Sequence, residues 1–179
     1  MARIVYRHEN ISRFIVSAIG QPGEREFFLQ IKSPEGINTI ALEKEQVRAL
    51  SEQIDKLIVE VRRAGLVSKV ESSVPAKIDK DPIEFPIDKD FQLGVANLSW
   101  KVSHIELTLQ AISSDDLILL DDFEEGPDLI IAKIPIEFAK GFCLRANELI
   151  NQGRPACPFC GLPINLSGHL CPRANGYRR

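Results

Sequence analysis

A chain of 179 residues, 44% hydrophobic and 26% charged, holds enough apolar material for one sizeable core, which excludes a wholly disordered protein. Its net charge of -3 argues against a general nucleic-acid binder, and no apolar run approaches the roughly 20 residues of a membrane span. That charge is unevenly spread: Arg154, Arg173, Arg178 and Arg179 are the only charged residues from Gln152 onward, so residues 1–151 carry -7.

The opening Met-Ala-Arg-Ile-Val-Tyr-Arg-His lacks the apolar stretch of a signal peptide, and a cytoplasmic location is the default expectation. Residues 3–7 and 13–19 are rich in β-branched and aromatic side chains and predict strands. Gly20-Gln-Pro-Gly23 and Ser33-Pro-Glu-Gly36 are turn signals, with strands expected over 26–32 and 37–42. Connections this short favour an antiparallel meander. The period then changes: Val47, Leu50, Ile54, Leu57, Ile58 and Val61 recur at three and four residues, which predicts an amphipathic helix over 44–64 closed by Gly65. Residues 68–90, with three prolines and six acids, read as an irregular connector on the surface.

The order then repeats. Strands are expected over 91–100, 104–112 and 128–134. Pro135 suits the first turn of a helix, whose stripe of Ile136, Ala139, Phe142, Cys143, Ala146, Leu149 and Ile150 runs to 151 before Gly153. Phe14-x-Val16 and Phe28-Leu29-Gln30 in the first half match Phe91-x-Leu93 and Thr108-Leu109-Gln110 in the second. The expected fold class is therefore α+β: an antiparallel sheet from two βββα-like halves (1–67 and 91–151), covered by two helices. Internal duplication or two-fold pseudo-symmetry would account for the match as well as chance likeness would. Residues 1–151 form the body and 152–179 a separate tail.

The tail contains the sharpest pattern. Cys157-Pro-Phe-Cys160-Gly161 is followed by Gly168-His169-Leu-Cys171-Pro172, with eight residues between Cys160 and His169. Two thiolates on a Cys-x-x-Cys-Gly turn, with backbone amides free to donate to sulfur, make half of a zinc knuckle, and His169 and Cys171 on a second turn complete a Cys3His set. One structural zinc per chain is expected, although iron suits similar ligands. The rival reading is redox chemistry, because Cys-Pro-x-Cys is also a glutaredoxin-like pattern. That chemistry requires the first cysteine at a helix N-terminus, whereas this motif follows a helix and runs into Gly161-Leu-Pro163. Cys143 lies on a helical apolar stripe and reads as a small core hydrophobe, or else as a poorly placed fourth ligand should His169 not bind.

Other candidates have ordinary explanations. Seven acids and no base lie between Ser113 and Asp128, without the spacing of a calcium loop, and read as a solvated acidic segment or a receiver for the basic tail. His8 and His104 lack an attached nucleophile or carboxylate and read as structural or exposed, and Trp100 as a core or interface residue. No catalytic motif is present. Arg173, Tyr177, Arg178 and Arg179 combine guanidinium and aromatic groups that a partner protein or, less favoured, a nucleic acid could use.

The segments Phe14-x-Val16 … Gly20-Gln-Pro-Gly23, Ala41-Leu-Glu-Lys-Glu-Gln46 and Arg154-Pro-Ala-Cys-Pro-Phe-Cys-Gly-Leu-Pro163 … Gly168-His-x-Cys-Pro-Arg173-Ala-Asn-Gly-Tyr-Arg-Arg179 resemble a bacterial family known as domain of unknown function 3090. The resemblance spans essentially the whole chain. It implies no activity, only association with a phosphate-related pathway. A zinc-containing protein-interaction or adaptor module is the leading expectation. An enzyme or enzyme subunit with a site between the halves comes second, and nucleic-acid contact through the tail third.

Overall fold

The computed structural model describes residues 3–21, 23–67, 73–114, 118–121, 125–152, 156–162, 164 and 168–173. Strands β1 (Val5–His8), β2 (Arg13–Ile19), β3 (Glu26–Ser33) and β4 (Gly36–Leu42) precede helix α1 (Lys44–Arg63). Strands β5 (Phe91–Lys101), β6 (His104–Ala111) and β7 (Leu129–Ile134) precede helix α2 (Ile136–Asn151). The expected elements are all present, and the class is α+β.

The seven strands form one mixed sheet in the order β1-β7-β6-β5-β4-β3-β2. The meanders β2-β3-β4 and β5-β6-β7 are antiparallel, but they join through a parallel pair, Ile40 beside Phe91 and Ala41 beside Gln92. β1 lies parallel to β7, from Val5 beside Leu129 to His8 beside Ala132. A short link excludes a parallel crossover only between strands that are neighbours in the sheet, and β1 and β2 are not. Because the meanders follow one another with the same strand directions, one maps onto the other by a step along the sheet. This step is a relation of topology and does not establish duplication.

Four residues connect β1 to β2, a reach of at most about 17 Å, yet six strand spacings in a flat sheet would separate these edges by about 29 Å. The sheet therefore curls until its edges approach. His8 at the end of β1 meets Ser33 and Asn38 of the β3–β4 hairpin. The helices fill the concave side. α2 follows β7 but lies against β2 at the other edge, where Phe142 stacks on Phe14 with ring centroids 4.6 Å apart. Alternate residues such as Val16, Leu29, Ile40, Leu107 and Ile130 face this core with Val47, Leu50 and Ile54 of α1. α1 ends as expected at Gly65 (φ 69°), where Gly65 N donates to Arg62 O and Leu66 N to Val61 O.

The connector is more than a surface linker. Over residues 73–90 it forms a strap that lies on α2, crosses the β2 edge and covers the convex face of the first meander. Lys77 N donates to Glu137 O at 2.8 Å, and Gly141 allows this approach, since a Cβ there would sit 2.0 Å from Lys77 O. At the edge, Arg13 donates to both carboxylate oxygens of Asp79, while Arg145 donates to the carbonyls of Val16, Asp79 and Asp81. Charged side chains and strap thus occupy an edge that would otherwise offer itself to another strand. Ile83 and Ile87 then pack on Ile15, Phe28 and Ala41.

Each meander buries one glutamine on its middle strand, Gln30 and Gln110, both 1% exposed. Gln30 exchanges two hydrogen bonds with the backbone of Glu84 in the strap. Gln110 Oε1 accepts from Leu119 N in the acidic segment. These are the glutamines that align when the two halves of the sequence are compared.

Candidate metal centre

Helix α2 ends at Asn151, and the cysteine motif begins six residues later on a turn with no helix of its own. Gly161 N donates to Cys157 O and Cys157 N to Leu162 O, both at 2.8 Å, which closes the turn on itself. Gly161 adopts φ 74° and Gly168 φ 83°, left-handed conformations that cost glycine little and place a ligand-bearing residue next to each reversal.

The two turns bring Cys157, Cys160, His169 and Cys171 together, with one ligand atom from each lying within 4.8 Å of all the others. Cys157 Sγ and Cys171 Sγ are 3.8 Å apart, far beyond a disulfide. Two thiolates on a tetrahedral ion at a zinc–sulfur distance of about 2.3 Å stand about 3.8 Å apart. Nε2 of His169 faces Cys160 Sγ at 3.2 Å. Cys157 and Cys171 are buried, Cys160 and His169 half-buried. Four side chains of metal-ligating type converge, and the donor set fits a closed tetrahedral ion.

Backbone amides reach both sulfurs of the first turn. Burial raises the Cys157 thiol, but backbone N–H groups of Cys160 and Phe159, with the neighbouring thiols, outweigh it and leave Cys157 below the ordinary cysteine value. Cys160 is held above that value, first by burial and then by its neighbouring thiols, against a donating N–H from Leu162. Amides aimed at sulfur are what a thiolate ligand requires. Cys143 is absent from the cluster. It is 3% exposed in the core, its Sγ donates to Ser51 O at 3.5 Å, and burial pushes it up to about 12.

Arg173 returns to the first turn, its Nη1 donating to Phe159 O at 3.2 Å. Tyr177, Arg178 and Arg179, expected as partner contacts, lie outside the described residues, as do Gly153, Arg154 and four of the seven acids (Asp115, Asp116, Asp122, Glu124). Among the described residues no second metal cluster forms. The described residues of the acidic segment are held instead by the two residues before β1: Arg3 donates to the carbonyls of Leu119, Asp121 and Pro127, and Ile4 N to Asp128 Oδ1 at 2.9 Å.

Sequence reasoning missed the surroundings of His8. The ring is 2% exposed, with Nδ1 2.6 Å from Ser33 Oγ and Nε2 2.8 Å from Asn38 Oδ1. Ser33 and Asn38 are also buried, so the set ties β1 to the far hairpin, and no sequence spacing announces it. His104 lines a cleft of about 390 Å³ with Glu9, Ser103, Lys133 and Glu137, and its Nε2 is buried without a partner among the described residues. Lys133 in that cleft is paired with Glu9. Trp100 packs beside Val61, Val67 and Ile136. No helix among the described residues is long and apolar enough to cross a membrane.

The family model described as a protein of unknown function, DUF3090, matches residues 6–171, most of the chain and all four clustered residues. No curated protein and no solved structure matches.

Proposed function

The chain belongs to this family of unknown function, and from that premise we propose that residues 152–179 form a zinc knuckle whose metal is structural and whose surface binds a partner protein. The observation that carries the reading is the convergence of four protein ligand atoms within 4.8 Å. A catalytic zinc keeps one position for water or substrate, whereas a Cys3His set leaves none. The rival redox role is disfavoured because neither Cys157 nor Cys160 stands at a helix N-terminus, and both face further ligands.

The knuckle also needs the ion. Among the described residues of the segment Phe159, Leu162 and Leu170 are exposed and only Cys157 and Cys171 are buried, so its buried centre there is the ligand cluster and not an apolar core. The body, by contrast, has a continuous core across both meanders. On this reading residues 1–151 fold without metal and present the knuckle, in a reducing, cytoplasmic compartment that keeps thiols free for zinc.

Elemental mass spectrometry of untagged protein, with thiols titrated before and after chelation, tests this. About one zinc per chain, with three thiols becoming reactive on chelation, is the expected result. Metal-free protein with Cys157 and Cys160 oxidised to a disulfide would overturn it in favour of redox chemistry.

A further inference from the structure

The knuckle is turned inside out: its ligands lie within, while Phe159 is 64% exposed, Leu162 51% and Leu170 87%. Each of the three sits next to, or two residues from, a metal ligand. Phe159 precedes Cys160, Leu162 follows it after Gly161, and Leu170 separates His169 from Cys171. An ion that fixes both turns therefore also fixes the backbone from which these side chains project, so their display costs little further order. A guanidinium stands beside the first of them. Arg173 is bonded to the carbonyl of Phe159, and from Gln152 to Arg179 the chain has four arginines and no acid.

The geometry points to a partner protein segment that carries apolar side chains flanked by carboxylates, with Phe159, Leu162 and Leu170 meeting the former and Arg173 the latter. This rests on the reading of the tail as a metal-held interaction module and adds the chemistry of what it binds. Single-stranded nucleic acid shares the negative charge but fits less well. Two of the three projecting side chains are leucines, which have no π face on which a base can stack. Residues 1–151 carry -7, which repels a long polyanion at distances beyond the knuckle, whereas a short acidic segment docked beside Phe159 meets mainly the Arg173 guanidinium.

The test is site-specific photocrosslinking from the knuckle of the full chain. Phe159 is replaced by p-benzoylphenylalanine, zinc content is checked by elemental mass spectrometry, cells are irradiated and the attached species is sequenced. The expected product is one protein, joined through a peptide rich in Asp or Glu and apolar residues, with the adduct lost in Cys160→Ser and in Arg173→Glu. Binding of that synthetic peptide to the zinc-loaded chain should weaken about tenfold or more in Leu170→Asp, since a buried leucine is worth about that much. A zinc-containing chain that crosslinks to nucleic acid, to its own body, to a basic peptide or to nothing overturns the partner chemistry alone. A chain without zinc that still crosslinks in Cys160→Ser overturns the metal-held module beneath it.

Discussion

Gly141→Ala places two effects of known sign against each other. Gly141 sits inside α2, where alanine would be favoured by about 1 kcal/mol if nothing else touched the helix. The strap touches it: a Cβ would stand 2.0 Å from Lys77 O, and ordinary contact begins near 3.4 Å, so the strap must retreat by about 1.4 Å. Lys77 is also the residue whose N–H donates to Glu137 O at 2.8 Å, and that bond does not survive such a retreat. Losing it costs about 0.5–1.5 kcal/mol, and overpacking a tight contact about 1–3 kcal/mol. After the helix gain is subtracted, a net loss of about 0.5–3.5 kcal/mol is expected. Urea unfolding of the two proteins measures it, and hydrogen exchange at the Lys77 amide localises it. A stabilisation of about 1 kcal/mol with Lys77 protection unchanged would refute the close approach of strap and helix.

Asp79→Asn should destabilise the fold by about 1–3 kcal/mol at neutral pH, since it weakens the charged hydrogen bonds from Arg13. The Arg13 hydrogen bond holds the Asp79 carboxyl below its ordinary value, against the effect of burial. Its stabilisation is therefore complete above the unfolded aspartate pKa and is lost as pH falls through the lower folded one. Wild type should lose stability more steeply than Asp79→Asn below about pH 4, and parallel acid titrations would sink the assignment. His8→Ala should cost about 1–3 kcal/mol by leaving Ser33 and Asn38 buried without their partner. A neutral result in thermal unfolding would mean that β1 is not tied to the hairpin through this ring. Chelation should raise exchange in residues after 152 while amides of β3 and β6 keep their protection; global loss of protection would show that the body also depends on the metal.

The local pattern determined much of this molecule. Alternation in Phe27–Leu29–Ile31 and three- and four-residue spacing in Val47–Leu50–Ile54 are properties of consecutive residues, so strands and helices follow from them nearly residue by residue. The clustering of Cys157, Cys160, His169 and Cys171 was legible for the same reason: they fall within 15 residues, and so short a span leaves few other ways to arrange them. Short connections also argued for meanders, and both meanders form. What short-range pattern cannot encode is which distant surfaces meet. The pairing of β1 with β7 depends on a sheet that curls through seven strands, and four linking residues neither require nor forbid it. The proline-rich connector becomes a strap only because Arg13, Arg145 and Gln30, far away in sequence, converge on its backbone and on Asp79. Gly141 carried a faint signal, a lone glycine within a helical stripe, but its reason is a carbonyl 64 residues earlier in the chain. His8, Ser33 and Asn38 carried none. Their bonds arise from closure of the whole sheet, and that closure is decided by burial of the shared core rather than by any one segment.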